Sequence, residues 1–289
     1  MDYLLLFFSV IFAVSNNGLL HNHGGMKEQT QTFMFNAFVS FVWFSGLLMI
    51  RNVNLEFSSG AILFGILYGA VQAVFLYFKM QAMANGPVSI STLIGTCSFV
   101  LSTVLGMVIW DESITVLQGI GLTFLMCSLM LSVKTNEGSS KKMTFEWLLY
   151  CIGFFVASAS VGIVFKMFSK SSSGNATDMM IVASLVMTIS FLALSKPYSD
   201  GKFKISLTGR DIIYATACGT VSCAYNRLNI YLTGALPSIV FFPIFNGGVI
   251  FLSLITGLVL FKEKLSKKQI IGFVIGLISL MLAGNVIII

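Results

Sequence analysis

The 289-residue chain is 56% hydrophobic and only 10% charged, with a mean hydropathy of +0.92. Soluble domains carry about 25% charged residues, so an ordinary core-and-surface protein is excluded and an integral membrane protein is predicted. The 17 Lys and Arg against 11 Asp and Glu fall in short polar breaks, which points to membrane orientation and away from nucleic acid as a partner.

About twenty apolar residues span a bilayer, and the chain offers ten such runs. The first, Tyr3–Leu20, has no basic leader and no small-residue cleavage motif before "NNGLLHNHGG", so a retained helix is expected. It ends with Asn16 and Asn17, and the His21–His23 pair beyond it reads as solvated loop histidines, not as a metal site. Thr32–Ile50 opens near Asn36, and Gly60–Ala82 carries Tyr68, Gln72, Tyr77 and Lys79. Val88–Trp110 carries Ser91, Thr92, Thr96 and Ser98, and Val116–Val133 is nearly free of polar groups. The hydrophilic stretch "KTNEGSSKKMTFE", Lys134–Glu146, then separates five helices from five. Beyond it lie Trp147–Phe168, Met179–Ser195, Asp211–Leu232, Pro237–Phe261 and Gln269–Ile287. The eighth is the most polar, with Ser222, Tyr225, Asn226, Arg227 and Asn229. The five cysteines, Cys97, Cys127, Cys151, Cys218 and Cys223, all fall in apolar runs without a CxxC, and read as reduced, buried hydrophobes.

The halves are related. "WDESITVLQGIGLTFLMCSLML" from Trp110 aligns with "FKEKLSKKQIIGFVIGLISLML" from Phe261 at an offset of 151, and Pro87 and Gly69 fall on Pro237 and Gly219 at 150. Polar residues match along with apolar ones: Glu112 with Glu263, Gln118 with Gln269. A repeat of five helices must enter the membrane from the other side in its second copy. The expected organisation is therefore residues 1–133 and 147–289 as inverted five-helix repeats joined by a linker, 134–146. Many secondary transporters are built this way, with the substrate site near the midplane.

The repeated Glu-x-Leu/Ile-Ser/Thr-x-x-Gln-x-Ile-Gly pattern, carried by Glu112, Gln118 and Gly121 and again by Glu263, Gln269 and Gly272, resembles the drug/metabolite transporter superfamily, in its EamA-like ten-helix branch. "GPVSISTLIG" and "LPSIVFFPIFNGG" resemble the start of the fourth helix of each family repeat. The resemblance covers essentially the whole chain and implies an alternating-access carrier of small metabolites. It also implies that the third, fourth, eighth and ninth helices line a central cavity. Related small multidrug carriers hold a glutamate in their first helix; this chain has only Asp2 at its outer end, so cation antiport by that route is not expected.

Intramembrane polar groups face the protein interior or a cavity. The candidate substrate-binding residues are Asn16, Tyr68, Gln72, Tyr77, Lys79, Thr96, Ser222, Tyr225, Asn226, Arg227 and Asn246. Lys79 and Arg227, within about a turn and a half of their helix ends, either snorkel to the interface or attract an anionic group. No acidic side chain is expected inside the spans to neutralise them. In "FFPIFNGG", Phe241 to Gly248, Pro243 frees a carbonyl near Ile239, Asn246 adds an amide, and Gly247 and Gly248 admit a helix or a substrate. This segment is either a packing kink or a lining of the substrate site, with Thr96 its counterpart. Glu112 and Glu263 sit in tight turns, where they would receive donors from a neighbouring helix end.

The expected function is a secondary transporter or exchanger of a small polar metabolite, with the cations tilting toward a negative substrate. The alternatives are a non-transporting accessory subunit and a membrane enzyme on lipid-linked substrates. The enzyme would need a His cluster, paired carboxylates or a metal set, and the sequence offers none. No cofactor and no Walker motif are read. The expected setting is a multi-pass protein of a bacterial cytoplasmic membrane, as monomer or homodimer. Counting Lys and Arg puts the linker and Lys27, Arg210 and Lys268 in the cytoplasm, with Arg51 and Lys170 opposite and both termini outside.

Overall fold

A computed structural model describes residues 1–24, 28–51, 57–132, 144–171, 174–195, 207–259 and 266–283. They form ten helices: α1 (Asp2–His23), α2 (Gln29–Ile50), α3 (Ser59–Asn85), α4 (Val88–Trp110), α5 (Val116–Ser132), α6 (Phe145–Ser171), α7 (Ala176–Ser195), α8 (Gly209–Ala235), α9 (Ser238–Val259) and α10 (Lys267–Ala283). Seven of them, α1–α4, α6, α7 and α9, hold stretches long and apolar enough to cross a bilayer. The helices α5 and α10 are apolar but only 17 residues long. The 27 residues of α8 exceed a bilayer's thickness, but its polar side chains lower its hydropathy. Most of the predicted linker, and Glu263, lie outside the described residues.

Local chemistry fixes where the helices begin. At α5 the Thr115 amide donates to Gln118 Oε1 at 3.0 Å while the Gln118 amide donates to Thr115 Oγ1 at 3.3 Å. At α10 the Ser266 amide donates to Gln269 Oε1 at 2.9 Å and the Gln269 amide to Ser266 Oγ at 3.3 Å. Both are capping boxes, in which two orphan helix amides are satisfied reciprocally. This is the physical content of the repeated Ser/Thr-x-x-Gln. Ser58 and Thr208 accept the Ala61 and Asp211 amides in the same way at α3 and α8. Such caps lie outside the apolar windows, which is why α3 and α8 start one or two residues before the predicted spans. α4 ends at Asp111, a left-handed cap with φ +50°.

The described chain divides into two compact units, each drawn from both halves of the sequence. The first comprises Met1–Val10, Val74–Ile163 and Ala235–Ile289; the second, Ile11–Ala73 and Val164–Gly234.

In the second unit α2 packs against α7. The end of α2 meets the start of α7 through an ion pair, Arg51 Nε to Asp178 Oδ1 at 2.8 Å, so these two helices run in opposite directions. α3 runs parallel to α7: a Cβ on Gly65 would lie 2.7 Å from Val182 Cβ, and one on Gly69 2.6 Å from Val186 Cβ and 2.9 Å from the Ala183 carbonyl. α8 runs along α2 in the same manner. A Cβ on Gly219 would lie 2.8 Å from Val42 Cβ and 3.0 Å from the Val39 carbonyl. Only hydrogen at these positions lets the backbones approach so closely.

In the first unit α5 packs on α10, and α4 and α10 on α9. Ser128 Oγ donates to the Gly272 carbonyl at 2.5 Å, and Gln118 Nε2 to the Ala283 carbonyl at 3.4 Å, so α5 and α10 are antiparallel. The end of α4 lies at the start of α9, where Glu112 Oε2 accepts the Ser238 amide at 2.6 Å. Glu112 thus neutralises the positive end of a neighbouring helix, as its place in the turn suggests. Another cluster sets Trp147, Cys151 and Phe154 of α6 against Ala82, with Trp147 Nε1 donating to Ser91 Oγ at 2.9 Å.

Candidate functional site

The second unit gathers four of the predicted residues into one buried polar chain. Asn226 of α8 anchors it, its Nδ2 donating to the Ser222 carbonyl at 2.8 Å. That fixes the amide, so Asn226 Oδ1 is the atom turned to Tyr68, whose hydroxyl donates to it at 3.4 Å. The Tyr68 oxygen in turn accepts from Gln72 Nε2 at 2.7 Å. On the other side Trp43 Nε1 donates to Ser222 Oγ at 2.9 Å, and that hydroxyl donates to the Cys218 carbonyl at 2.6 Å. Tyr225 belongs to the same group, hydrogen-bonded to Asn226 and within electrostatic range of Tyr68.

The aromatic walls are equally specific. The Tyr68 ring, 1% exposed, stacks flat on Phe165 of α6 with centroids 4.4 Å apart and planes 10° from parallel. Tyr68, Ser222 and Asn226 are buried, with bonding groups engaged inside the protein; Gln72 and Tyr225 are only partly buried. Chemically the cluster is a polar core whose partly exposed members are Gln72 and Tyr225. Trp43 and Phe165 belong to it although neither was a predicted site residue. Asn16, also in this unit, keeps a buried Oδ1 without a hydrogen-bond partner among the described residues.

The cations lie apart from this chain of bonds. Arg227 is on an exposed face of α8. In the first unit Lys79 is half-buried, its ammonium 5.8 Å from the Phe75 ring centre, and Tyr77 is half-buried with its ring edge-on to Phe78. Sequence reasoning passed over a third cation. Lys166 of α6, next to Phe165, is fully buried. It sits two residues from the end of the predicted sixth span, where a lysine looks like an interfacial residue; α6 continues to Ser171 and carries it inside.

Three other expectations are corrected. Asp178 and Asp211 lie in the first turns of α7 and α8, so carboxylates do enter the helices, each held by a cationic or imidazole partner. His23 is not a solvated loop residue: it ends α1, with its ring nitrogen Nε2 2.6 Å from Asp211 Oδ1. Among the cysteines Cys151 and Cys218 are buried, whereas Cys127 is exposed on the apolar face of α5.

"FFPIFNGG" lies in an unbroken α9 that passes through Pro243. Asn246 Nδ2 donates back to the Phe242 carbonyl at 2.9 Å. A Cβ on Gly247 would stand 2.8 Å from Leu280 of α10 and 3.3 Å from Leu125 of α5; one on Gly248 would stand 3.3 Å from Val10. Other helices are what the two glycines admit. Thr96 is half-buried on α4, its hydroxyl donating to the Thr92 carbonyl at 2.8 Å.

These elements define a class, a ten-helix, multi-pass integral membrane protein. No family model matches the chain, and neither does any curated protein. Among solved structures, one described only as "Crystal structure of protein" superposes with a TM-score of 0.74 over 99% of this chain and 96% of that one, at 14% identity. At that identity the likeness shows the fold alone.

Proposed function

We propose that the protein is a secondary transporter or exchanger that moves a small polar metabolite by alternating access across a bacterial cytoplasmic membrane, as a monomer or homodimer. One observation carries this reading. Gly69 of α3 meets Val186 and the Ala183 carbonyl of α7, and Gly219 of α8 meets Val42 and the Val39 carbonyl of α2. The same contact is made twice by residues 150 apart on α3 and α8, in helices that run in opposite directions. That is the geometry expected of inverted repeats, the architecture of many carriers. The helix bounds support it: α3 and α8 begin at Ser59 and Gly209 and end at Asn85 and Ala235, 150 residues apart at both ends. The sequence resemblance to the drug/metabolite transporter superfamily agrees.

The substrate is expected to be small and polar, since Gln72 and Tyr225, the partly exposed members of the cluster, are themselves polar. Lys79 and Arg227 favour one with a negative group. The test is reconstitution into liposomes and uptake of a panel of amino acids, nucleosides, sugar phosphates and organic cations, preceded by thermal-shift screening of the same panel. Saturable uptake of a panel member, lost in protein-free vesicles, supports the proposal. A folded, monodisperse protein that neither binds nor moves any of them would sink it in favour of an accessory role.

A further inference from the structure

We propose that the His23–Asp211 pair is a proton-sensitive latch holding the C-terminal end of α1 on the first turn of α8. This does not depend on the transport reading.

His23 Nε2 stands 2.6 Å from Asp211 Oδ1, with the two side chains only 6% and 15% exposed. A carboxylate can only accept, so Nε2 carries a hydrogen and Nδ1 is the position that gains or loses a proton. With Nδ1 protonated the pair is an imidazolium–carboxylate bridge; with it bare, the same contact is a hydrogen bond from a neutral ring. The carboxylate makes the bond charge-assisted in both states, and protonation of the ring adds the attraction of opposite charges, so the latch is tighter at low pH than at high pH. Asp211 stays in place through both states, because its Oδ2 accepts the Thr208 amide at 2.7 Å and the Thr208 hydroxyl at 2.8 Å.

The surroundings give the latch its lever. The His23 ring rests edge-on against Tyr214 of α8, 5.2 Å between centroids, and tilted by 47° against Phe35 of α2 at 5.6 Å. Leu19 of α1 packs, with Leu207 and Tyr214, against the buried cluster of Phe35, Ala215 and Cys218. At this end of these elements the described titratable and charged groups are His21 of α1, Glu28 before α2, and Arg210, Asp211 and Tyr214 of α8. Arg210 donates to the Asn22 carbonyl at 3.0 Å, a second strap between α8 and the end of α1. At the far end of α2, Arg51 and Asp178 make the corresponding bridge between α2 and α7. That bridge joins a guanidinium to a carboxylate and contains no imidazole.

Hydrogen exchange tests it on the full chain in phosphatidylcholine–phosphatidylglycerol vesicles, at about pH 5.5 and pH 8, with intrinsic rates divided out. In the wild type, protection of the amides from Leu19 to His23 is expected to fall on the order of tenfold at the higher pH, while amides around Asp178 stay constant. His23→Gln, which keeps a neutral donor, is expected to show the low protection at both pH values. His23→Arg, with a permanent charge, is expected to show high protection at both, and it serves as the second variant should the first fold poorly. A wild type whose α1 end is equally protected at both pH values overturns the latch. So does a His23→Arg protein that retains the wild-type pH dependence.

Discussion

Tyr68 is a useful residue on which to weigh a buried polar group in a membrane protein. Its hydroxyl both donates to Asn226 and accepts from Gln72. Tyr68→Phe keeps the stack on Phe165 but leaves the Asn226 oxygen without its hydroxyl donor and the Gln72 amide without its acceptor. The expected loss is about 0.5–1.5 kcal/mol, seen as a lowered melting temperature in detergent. Tyr68→Leu should cost more, since it also removes the stack. Lys166 is fully buried and engaged inside the protein, so Lys166→Met strips a buried contact of one member and should lower the melting temperature. If Lys166 also serves an anionic substrate, uptake per folded molecule should fall by at least about tenfold, a loss of about 1.4 kcal/mol of interaction. Normal uptake by Lys166→Met would leave the lysine a structural group. Arg227→Gln and Lys79→Gln extend the comparison, because unaltered kinetics in both would remove the argument for an anion. Asn246→Leu gives the α9 test: unchanged uptake with unchanged apparent affinity would make "FFPIFNGG" a packing segment only.

At the scale of the helix, close approach is the property most open to test. A side chain at Gly69 meets Val186 and the backbone of α7, whereas one at Gly46 meets nothing within 4 Å. Gly69→Val is therefore expected to cost about 1–3 kcal/mol by forcing α3 from α7. Gly46→Ala on α2 should be neutral or stabilise by up to about 1 kcal/mol. Equal melting temperatures for the two variants would show that α3 is not held at the distance described. These contrasts also mark what was legible in the chain. Ten apolar runs gave ten helices because hydrophobic length is written locally. The matched Gly69 and Gly219 were visible as a pair, and so was the turn position of Glu112. What Glu112 touches, and the pairing of His23 with Asp211 across 188 residues, could not be read, because nothing in a local pattern says which distant helix end comes alongside. Lys166 is illegible for another reason: the apolar window ends two residues beyond it, and a lysine at such a boundary reads as interfacial, whereas α6 runs on to Ser171 and buries it. Within the candidate site, Tyr68, Gln72, Ser222 and Asn226 were legible from their polarity in an apolar context; Trp43 and Phe165 were not, since an aromatic residue in a membrane helix carries no mark of its role.

For the whole molecule, orientation follows from where the positive charges fall. Cysteines placed at Ser139 and Ser266, in a background without the five native ones, are expected to label from one side, and a cysteine added after Ile289 from the other. Ser139 lies in the linker, outside the described residues. Labelling of the Ser139 and C-terminal probes from the same face would mean that the chain between them crosses an even number of times.

The composition of the two units has a consequence for how the protein is made. One needs residues up to Gly234 and the other residues from 235 onward, while both also need residues from the first hundred. Domains commonly fold in order as a chain is synthesised, but here neither unit can be completed while only the first half has been delivered to the bilayer. Until α7 arrives, Gly69 waits without the ridge that fills its groove, and until α8 arrives Tyr68 and Gln72 wait in lipid without Asn226. The nascent protein therefore passes through a long interval in which its polar groups are protected only by each other or by the insertion machinery. A break in the linker should matter little by comparison. Fragments 1–138 and 139–289 expressed apart are expected to be degraded, and expressed together to co-purify as one particle. Recovery of either fragment alone as a stable species would show that biogenesis proceeds half by half after all.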